Sequence, residues 1–177
     1  MGIINVHDKT FETYLSDEII QQRVKEMAFD INKDYSGKKP LFIAILNGSF
    51  MFAADLFKHL NIEAELCFIK LASYKGMKSS GKVVTSIGLE EDIFDKDVII
   101  VEDIVDTGKT LHRFLPKLVH QQPKSLKIVT LLHKSDATEY PLVLDYVGFS
   151  IPDKFVVGYG LDYDGLGRNL REIYQLV

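Results

Sequence analysis

The chain has 177 residues, of which 46% are hydrophobic and 26% are charged, and these values predict one compact domain over residues 1–177 rather than a disordered or fibrous protein. Cys67 is the only cysteine, which excludes an intramolecular disulfide and a cysteine-based zinc cluster and favours a reducing, cytoplasmic compartment. The formal net charge of −4 argues against a nucleic-acid partner, and the lack of a secretion signal or of an apolar run near the roughly 20 residues that cross a bilayer argues against membrane association.

The N-terminal part of the chain contains a helix pattern followed by a strand pattern and a second helix pattern. Residues 15–35 carry apolar side chains at steps of three and four, begin with polar capping residues and end before Gly37, which predicts an amphipathic helix. LFIAIL (41–46) is a continuous apolar run, typical of a strand buried on both faces. Helical spacing returns over residues 49–60, so a strand followed by a helix is predicted here.

The same alternation of strands and helices continues through the rest of the chain. Further strand patterns lie at residues 65–71, 83–89, 97–103, 126–132, 146–151 and 156–161. A helix is predicted to end at His120, with Pro116 expected to remove one backbone hydrogen bond and bend it. This order predicts an α/β fold with a mostly parallel sheet flanked by helices, in which ligands bind beyond the carboxyl ends of the strands.

The stretch VIIVEDIVDTGKTL (98–111) is the most informative motif. Its apolar strand ends in adjacent carboxylates, Glu102 and Asp103, which suit the vicinal hydroxyls of a ribose. A turn that opens a helix follows, and its backbone N–H groups and hydroxyls are suited to a phosphate. The residues of this turn are Asp106, Thr107, Gly108, Lys109 and Thr110. The alternative is that Asp106 or Thr107 only caps the helix and that the two acids end a strand at the solvent.

Two common nucleotide motifs do not fit the chain. A P-loop needs a glycine five residues before Gly108, where this sequence has Asp103. The dinucleotide fingerprint that would begin at Gly158 and Gly160 needs a third glycine at the position of Tyr163. Both motifs are therefore excluded.

The motif at residues 98–111 resembles the signature of the type I phosphoribosyltransferases, which is an apolar strand, two acids, two apolar residues and D-T-G-K-T. Three further segments, at residues 46–56, at Ser73-Tyr74 and from 151–163 to Arg168, are similar to the hypoxanthine-guanine branch of that family. The resemblance implies the family fold, with a small purine-binding hood formed by the chain ends. It also implies Mg²⁺-dependent transfer of a 5-phosphoribosyl group from 5-phosphoribosyl 1-pyrophosphate (PRPP) to a 6-oxopurine in purine salvage, by a dimer or tetramer.

The resemblance also implies roles for individual residues. Glu102 and Asp103 would accept the ribose hydroxyls, residues 106–110 would bind the 5′-phosphate, and Asp106 would take a proton from N7 of the purine. The expected purine contacts are the Lys134 amine to the 6-oxo group, the Phe155 ring on the base, and the main chain of Val156 and Asp162 at position 2. The expected pyrophosphate contacts are Leu46, Asn47, Gly48 and Arg168. The expected Mg²⁺ ligands are Asp162, Glu102 and Asp103, and the expected lid begins at Ser73 and Tyr74.

Asn47 departs from the family pattern, because many relatives carry lysine after the leucine of this loop. The resemblance implies a cis bond between Leu46 and Asn47, which asparagine can keep. Without the resemblance, Lys134 would be interpreted as a solvated lysine and Phe155 equally well as a core residue. Two other functions stay open at this point, namely a non-catalytic PRPP-sensing regulator and an unrelated α/β phosphate-binding module.

Overall fold

A computed structural model describes residues 2–73 and 83–177 of the chain. The elements in chain order are β1 (Ile3–Val6), β2 (Lys9–Leu15), α1 (Asp17–Asp34), β3 (Leu41–Leu46), α2 (Phe50–Lys58), β4 (Glu65–Ser73), β5 (Val83–Ile87), β6 (Asp97–Val105), α3 (Lys109–Val119), β7 (Ser125–His133), β8 (Tyr146–Ser150), β9 (Val156–Val157) and β10 (Ile173–Leu176). The larger sheet has the strand order β5-β4-β3-β6-β7-β8. Its neighbours pair in parallel except β4 and β5, which are antiparallel. The predicted mostly parallel sheet is thus confirmed.

The central strands are buried on both faces, which explains their continuous apolar sequences. In β3, Phe42 and Ala44 join the core that contains α1 and α2. Their neighbours Ile43 and Ile45 point to the opposite face and join the core beneath α3. Because successive side chains of a strand point to opposite faces, a strand between two helical layers needs apolar residues at every position.

The three helices lie close to their predicted ranges. Helix α1 begins after Ser16, whose Oγ accepts a 3.4 Å hydrogen bond from the Ile19 backbone N–H. Helix α3 continues through Pro116 to Val119. None of the helices in residues 2–73 and 83–177 combines the length and the apolar character that crossing a bilayer requires.

A second, smaller sheet forms a hood from both ends of the chain. Its strand order is β1-β2-β10-β9, and all of its pairs are antiparallel. Phe11 and Val157 are fully buried at its centre. The predicted hood is present, but the sequence patterns did not reveal β1, β2 or β10.

The predicted strand at residues 156–161 is too long. Only Val156 and Val157 are in a strand. The next three residues, Gly158, Tyr159 and Gly160, have φ angles of 104°, 49° and 99°. Positive φ values are incompatible with a strand, so the chain turns there. It later returns through β10, which pairs with β9 in the smaller sheet.

Candidate active site

Three neighbouring strands of the larger sheet end at one edge and bring polar residues together there. Asp106 follows β6, Lys134 follows β7, and Asp153 lies three residues beyond β8. Backbone hydrogen bonds continue past the strand ends, since Lys134 N–H donates to Val105 O and Ile151 N–H donates to His133 O, each at 2.9 Å. The sheet thus sets the spacing of these three residues.

The turn between β6 and α3 has the form of an anion-binding loop. Gly108 has a φ of +79° and precedes the first turn of α3 without a side-chain cap. The carbonyl of Thr107 accepts hydrogen bonds from the N–H groups of Glu139 and Tyr140, at 3.1 and 3.0 Å, which hold the turn in place. Residues 104–111 and Glu102 line a cavity of about 90 Å³. Gly108, and not Asp106 or Thr107, occupies the cap position. The alternative that Thr107 serves the helix is correct in part, because its Oγ1 accepts a 3.3 Å hydrogen bond from the N–H of Lys109, the first residue of α3.

The prediction that the apolar strand ends in Glu102 and Asp103 is wrong, because β6 continues through Val105 and stays paired with β7. The two acids are also not at the solvent. Glu102 is 9% exposed, and its Oε2 has no hydrogen-bond partner among the described residues. Burial, and then the nearby charge of Asp103, raise the pKa of Glu102 well above its ordinary value. Burial also raises the pKa of the half-buried Asp103 to about 6. Both acids therefore lie where a cation or a donor would stabilise their charged forms.

The loop after β3 packs tightly between Asp103 and the hood. The Leu46–Asn47 peptide bond is cis, as the resemblance implied. A side chain at Gly48 would collide with the Asp103 carboxylate, and a side chain at Gly160 would collide with the Gly48 carbonyl. The absence of side chains at these two glycines lets the loop, the acids and the hood approach closely.

Arg168 and Asp162 bind each other at the hood side of this loop. The guanidinium of Arg168 contacts Asp162 Oδ1 at 2.5 Å and donates a 2.6 Å hydrogen bond to the Gly160 carbonyl. Asp162 Oδ2 accepts a 2.7 Å hydrogen bond from Gly165 N–H. Within residues 2–73 and 83–177, no three acidic, histidine or cysteine side chains form a metal-binding cluster. The structure therefore does not gather the three predicted Mg²⁺ ligands, Asp162, Glu102 and Asp103, into one such cluster.

Lys134 lies between two carboxylates. Its side chain is 8% exposed, and its Nζ is 3.4 Å from Asp106 Oδ2 and 3.0 Å from Asp153 Oδ1. The interpretation of Lys134 as a solvated lysine is therefore wrong. Asp153 is not among the predicted site residues, although a carboxylate shortly after β8 was a signal that could have identified it.

Phe155 and Val156 lie at the hood. Phe155 is 44% exposed and is not a core residue. Its ring makes an edge contact with Tyr163, with 5.8 Å between centroids, and a tilted contact with Phe11 at 6.2 Å. Val156 is buried in β9. Of the two predicted lid residues, Ser73 is the last residue of β4, and Tyr74 lies outside the described residues.

Comparisons with known proteins agree with this geometry. A family model described as a phosphoribosyl transferase domain matches residues 11–164. The hypoxanthine phosphoribosyltransferase of Buchnera aphidicola is 47% identical over 171 residues, which cover 95% of this chain and 97% of that protein. The hypoxanthine-guanine phosphoribosyltransferase of Aquifex aeolicus is 40% identical over 173 residues, with 97% of each chain covered. A crystal structure of a hypoxanthine-guanine phosphoribosyltransferase from Bacillus anthracis superposes with a TM-score of 0.87 at 41% identity and covers 94% of this chain and 96% of that one.

Proposed function

The chain belongs to the phosphoribosyltransferase family, and from this premise we propose that it transfers the 5-phosphoribosyl group of PRPP to hypoxanthine or guanine. The products are the purine nucleotide, IMP or GMP, and pyrophosphate, as purine salvage requires. The observation that supports this most directly is the Asp106–Lys134 pair, with Oδ2 and Nζ 3.4 Å apart beside the phosphate turn.

This pair complements one edge of a 6-oxopurine. The 6-oxo oxygen is an acceptor and adjoins N7, which carries a proton when N9 is free to react. The ammonium of Lys134 offers only donors and the ionised carboxylate of Asp106 offers only acceptors. Lys134 therefore donates to the 6-oxo group while Asp106 accepts from N7–H. Adenine would place an amino donor against the ammonium, and such an unpaired contact discriminates strongly.

The neighbouring groups suit the rest of the substrates. The turn formed by residues 106–110 binds the 5′-phosphate through its N–H groups and the hydroxyls of Thr107 and Thr110. Glu102 and Asp103 accept the ribose hydroxyls, which supply the donor that Glu102 Oε2 lacks among the described residues. The exposed ring of Phe155 stacks on the base, and the main chain of Val156 and Asp162 meets its position 2.

The pyrophosphate end lies between the loop after β3 and the hood. Main-chain N–H groups of residues 46–48 and the guanidinium of Arg168 bind the leaving group, once Arg168 exchanges its contact with Asp162 for one with substrate. The site also fits Mg²⁺, because Glu102 Oε2 is buried without a partner among the described residues and burial disfavours the charged form of Asp103. Mg²⁺ takes one or two protein carboxylates and fills its other positions with phosphate oxygens and water. Asp162, Asp103 and Glu102 are the candidates, and the bound ion would neutralise charge on pyrophosphate.

The reaction exchanges one bond at C1 of the ribose for another. The C1–O bond to pyrophosphate breaks, the sugar passes through an oxocarbenium-like state, and purine N9 supplies the electron pair of the new C1–N bond. Formation of the C1–N9 bond would leave the purine positively charged while N7 keeps its proton. Transfer of the N7 proton to Asp106 prevents this charge from accumulating on the base. The electron pair of the broken bond leaves with pyrophosphate, where Arg168 stabilises it.

The test is an assay of PRPP-dependent nucleotide and pyrophosphate formation with hypoxanthine, guanine and adenine, with Mg²⁺ and after chelation. We expect turnover with the two 6-oxopurines, little with adenine, and loss of turnover on chelation that Mg²⁺ restores. PRPP binding without nucleotide formation from any base would instead indicate a regulator and would contradict the proposal. Full turnover after thorough chelation would contradict the role of Mg²⁺.

A further inference from the structure

Asp153 is a charged residue at the purine end that the reaction above does not use. Its Oδ1 lies 3.0 Å from Lys134 Nζ, closer than Asp106 Oδ2 at 3.4 Å. The Asp153 side chain is 64% exposed, whereas that of Lys134 is 8% exposed. The contact thus joins a carboxylate at the mouth of the site to an amine inside it.

The backbone sets this contact. Ile151 N–H extends the pairing of β8 with β7 through its hydrogen bond to His133 O, and Lys154 N–H donates to Pro152 O at 2.8 Å to close the turn that carries Asp153. On the other side, Lys134 N–H is bonded to Val105 O. The positions of both partners therefore follow from the parallel order β6-β7-β8.

We propose that Asp153 is a positioning residue for base recognition, which holds the Lys134 ammonium in place so that one N–H group remains for the 6-oxo oxygen; the inference rests on the proposed function. An ammonium has three donors. Among the described residues, two of them serve Asp106 and Asp153. Because the angles between the three N–H bonds are fixed, holding two of them sets the direction of the third.

The reaction gives a second reason for two carboxylates. When Asp106 takes the N7 proton it becomes neutral and weakens as a partner for Lys134. A buried ammonium without a charged partner is costly. Asp153 takes no proton in the reaction, so it continues to accept its hydrogen bond from Lys134 while the 6-oxo group is bound.

The first experiment compares Asp153→Asn with Asp136→Asn, an exposed carboxylate in the same region that does not contact Lys134. We expect Asp153→Asn to lower kcat/KM for hypoxanthine by about tenfold, the scale of one charge-assisted hydrogen bond. The KM for PRPP should match that of the Asp136→Asn control. A rise in the KM for PRPP as large as the loss in kcat/KM for hypoxanthine would overturn the proposal. So would an unchanged or increased kcat/KM for hypoxanthine.

A double-mutant cycle then tests whether Asp153 acts through Lys134. In a Lys134→Gln background, Asp153→Asn should have little further effect on kcat/KM for hypoxanthine, because the group that it positions is gone. The same fold-loss in both backgrounds would overturn the proposal. A parent enzyme that does not use hypoxanthine would contradict the proposed function instead, so the two failures are distinguishable.

Discussion

The hydroxyl of Tyr159 in the hood donates a 2.7 Å hydrogen bond to Asp55 Oδ2 of α2. Gln21 and Lys58 also donate to this carboxylate, at 2.8 and 2.7 Å. Burial alone would raise the pKa of Asp55, but the hydrogen bonds from these three side chains lower it below its ordinary value. Because α2 begins directly after the proposed pyrophosphate loop (residues 46–48), the bond ties the hood to the helix behind that loop.

Tyr159→Phe should therefore weaken PRPP binding as well as stability. The turn of residues 158–160 places Gly160 against Gly48, so loosening Tyr159 lets the pyrophosphate loop shift. We expect a several-fold rise in the KM for PRPP and a loss of about 2 kcal/mol in unfolding free energy, the scale of a hydrogen bond to a charged group.

Tyr146→Phe is the matched control, because the Tyr146 hydroxyl donates a 2.6 Å hydrogen bond to Asp34 near the opposite edge of the sheet. It should lower stability by a similar amount with no change in the KM for PRPP. Equal KM values for the two variants would contradict the link between Tyr159 and the pyrophosphate loop.

Asp106→Asn should lower kcat far more than it changes the KM for PRPP. The amide keeps most of the shape of the turn but cannot take the N7 proton. A loss of ~10²-fold or more is the scale of general-base removal. Steady-state kinetics with hypoxanthine would measure it, with Asp136→Asn as the control, and an unchanged kcat would exclude Asp106 from proton transfer.

Lys134→Gln should narrow the preference for hypoxanthine over adenine. Glutamine offers either a donor or an acceptor. Its amide oxygen can therefore accept a hydrogen bond from the 6-amino group of adenine, which the lysine ammonium cannot do. The measurement is the ratio of kcat/KM values for the two bases, with Lys154→Gln, an exposed lysine of the neighbouring turn, as the control. An unaltered ratio would mean that Lys134 does not discriminate at position 6.

Asp103→Asn should increase stability at neutral pH but not in acid. The pKa of Asp103 is raised by burial to about 6, so the folded state binds a proton that the unfolded state releases between its ordinary pKa and about 6. The parent therefore loses stability as pH rises through this window, and the variant does not. The unfolding free energy of Asp103→Asn minus that of the parent should grow by on the order of 2 kcal/mol between pH ~4 and pH ~7, after allowance for partial solvent screening.

Denaturant unfolding of the parent, Asp103→Asn and the exposed control Asp30→Asn, with a chelator present, would check this difference. The control should follow the parent at every pH. A constant difference in unfolding free energy between Asp103→Asn and the parent across the pH range would show that burial does not raise the pKa of Asp103.

The local parts of the fold and the site could be predicted from sequence because neighbouring residues determine them. The run of apolar residues before Glu102 indicated a strand buried on both faces, and the turn at residues 106–110 directly follows the end of β6 at Val105. The spacing of apolar residues likewise predicted α1. Periodicity was less informative in the hood, where in β2 only Phe11 is fully buried and the apolar alternation is therefore weak.

The contacts between distant parts of the chain depended on tertiary structure. Lys134 meets Asp153 because β8 pairs in parallel with β7, and no local spacing specifies which strands become neighbours. Tyr159 meets Asp55 across 104 residues of sequence, because the hood folds back on α2. Residue types and short-range spacing thus determined the chemistry available to this protein. Strand order and the docking of the hood decided which charged groups are buried, paired and close enough to act together.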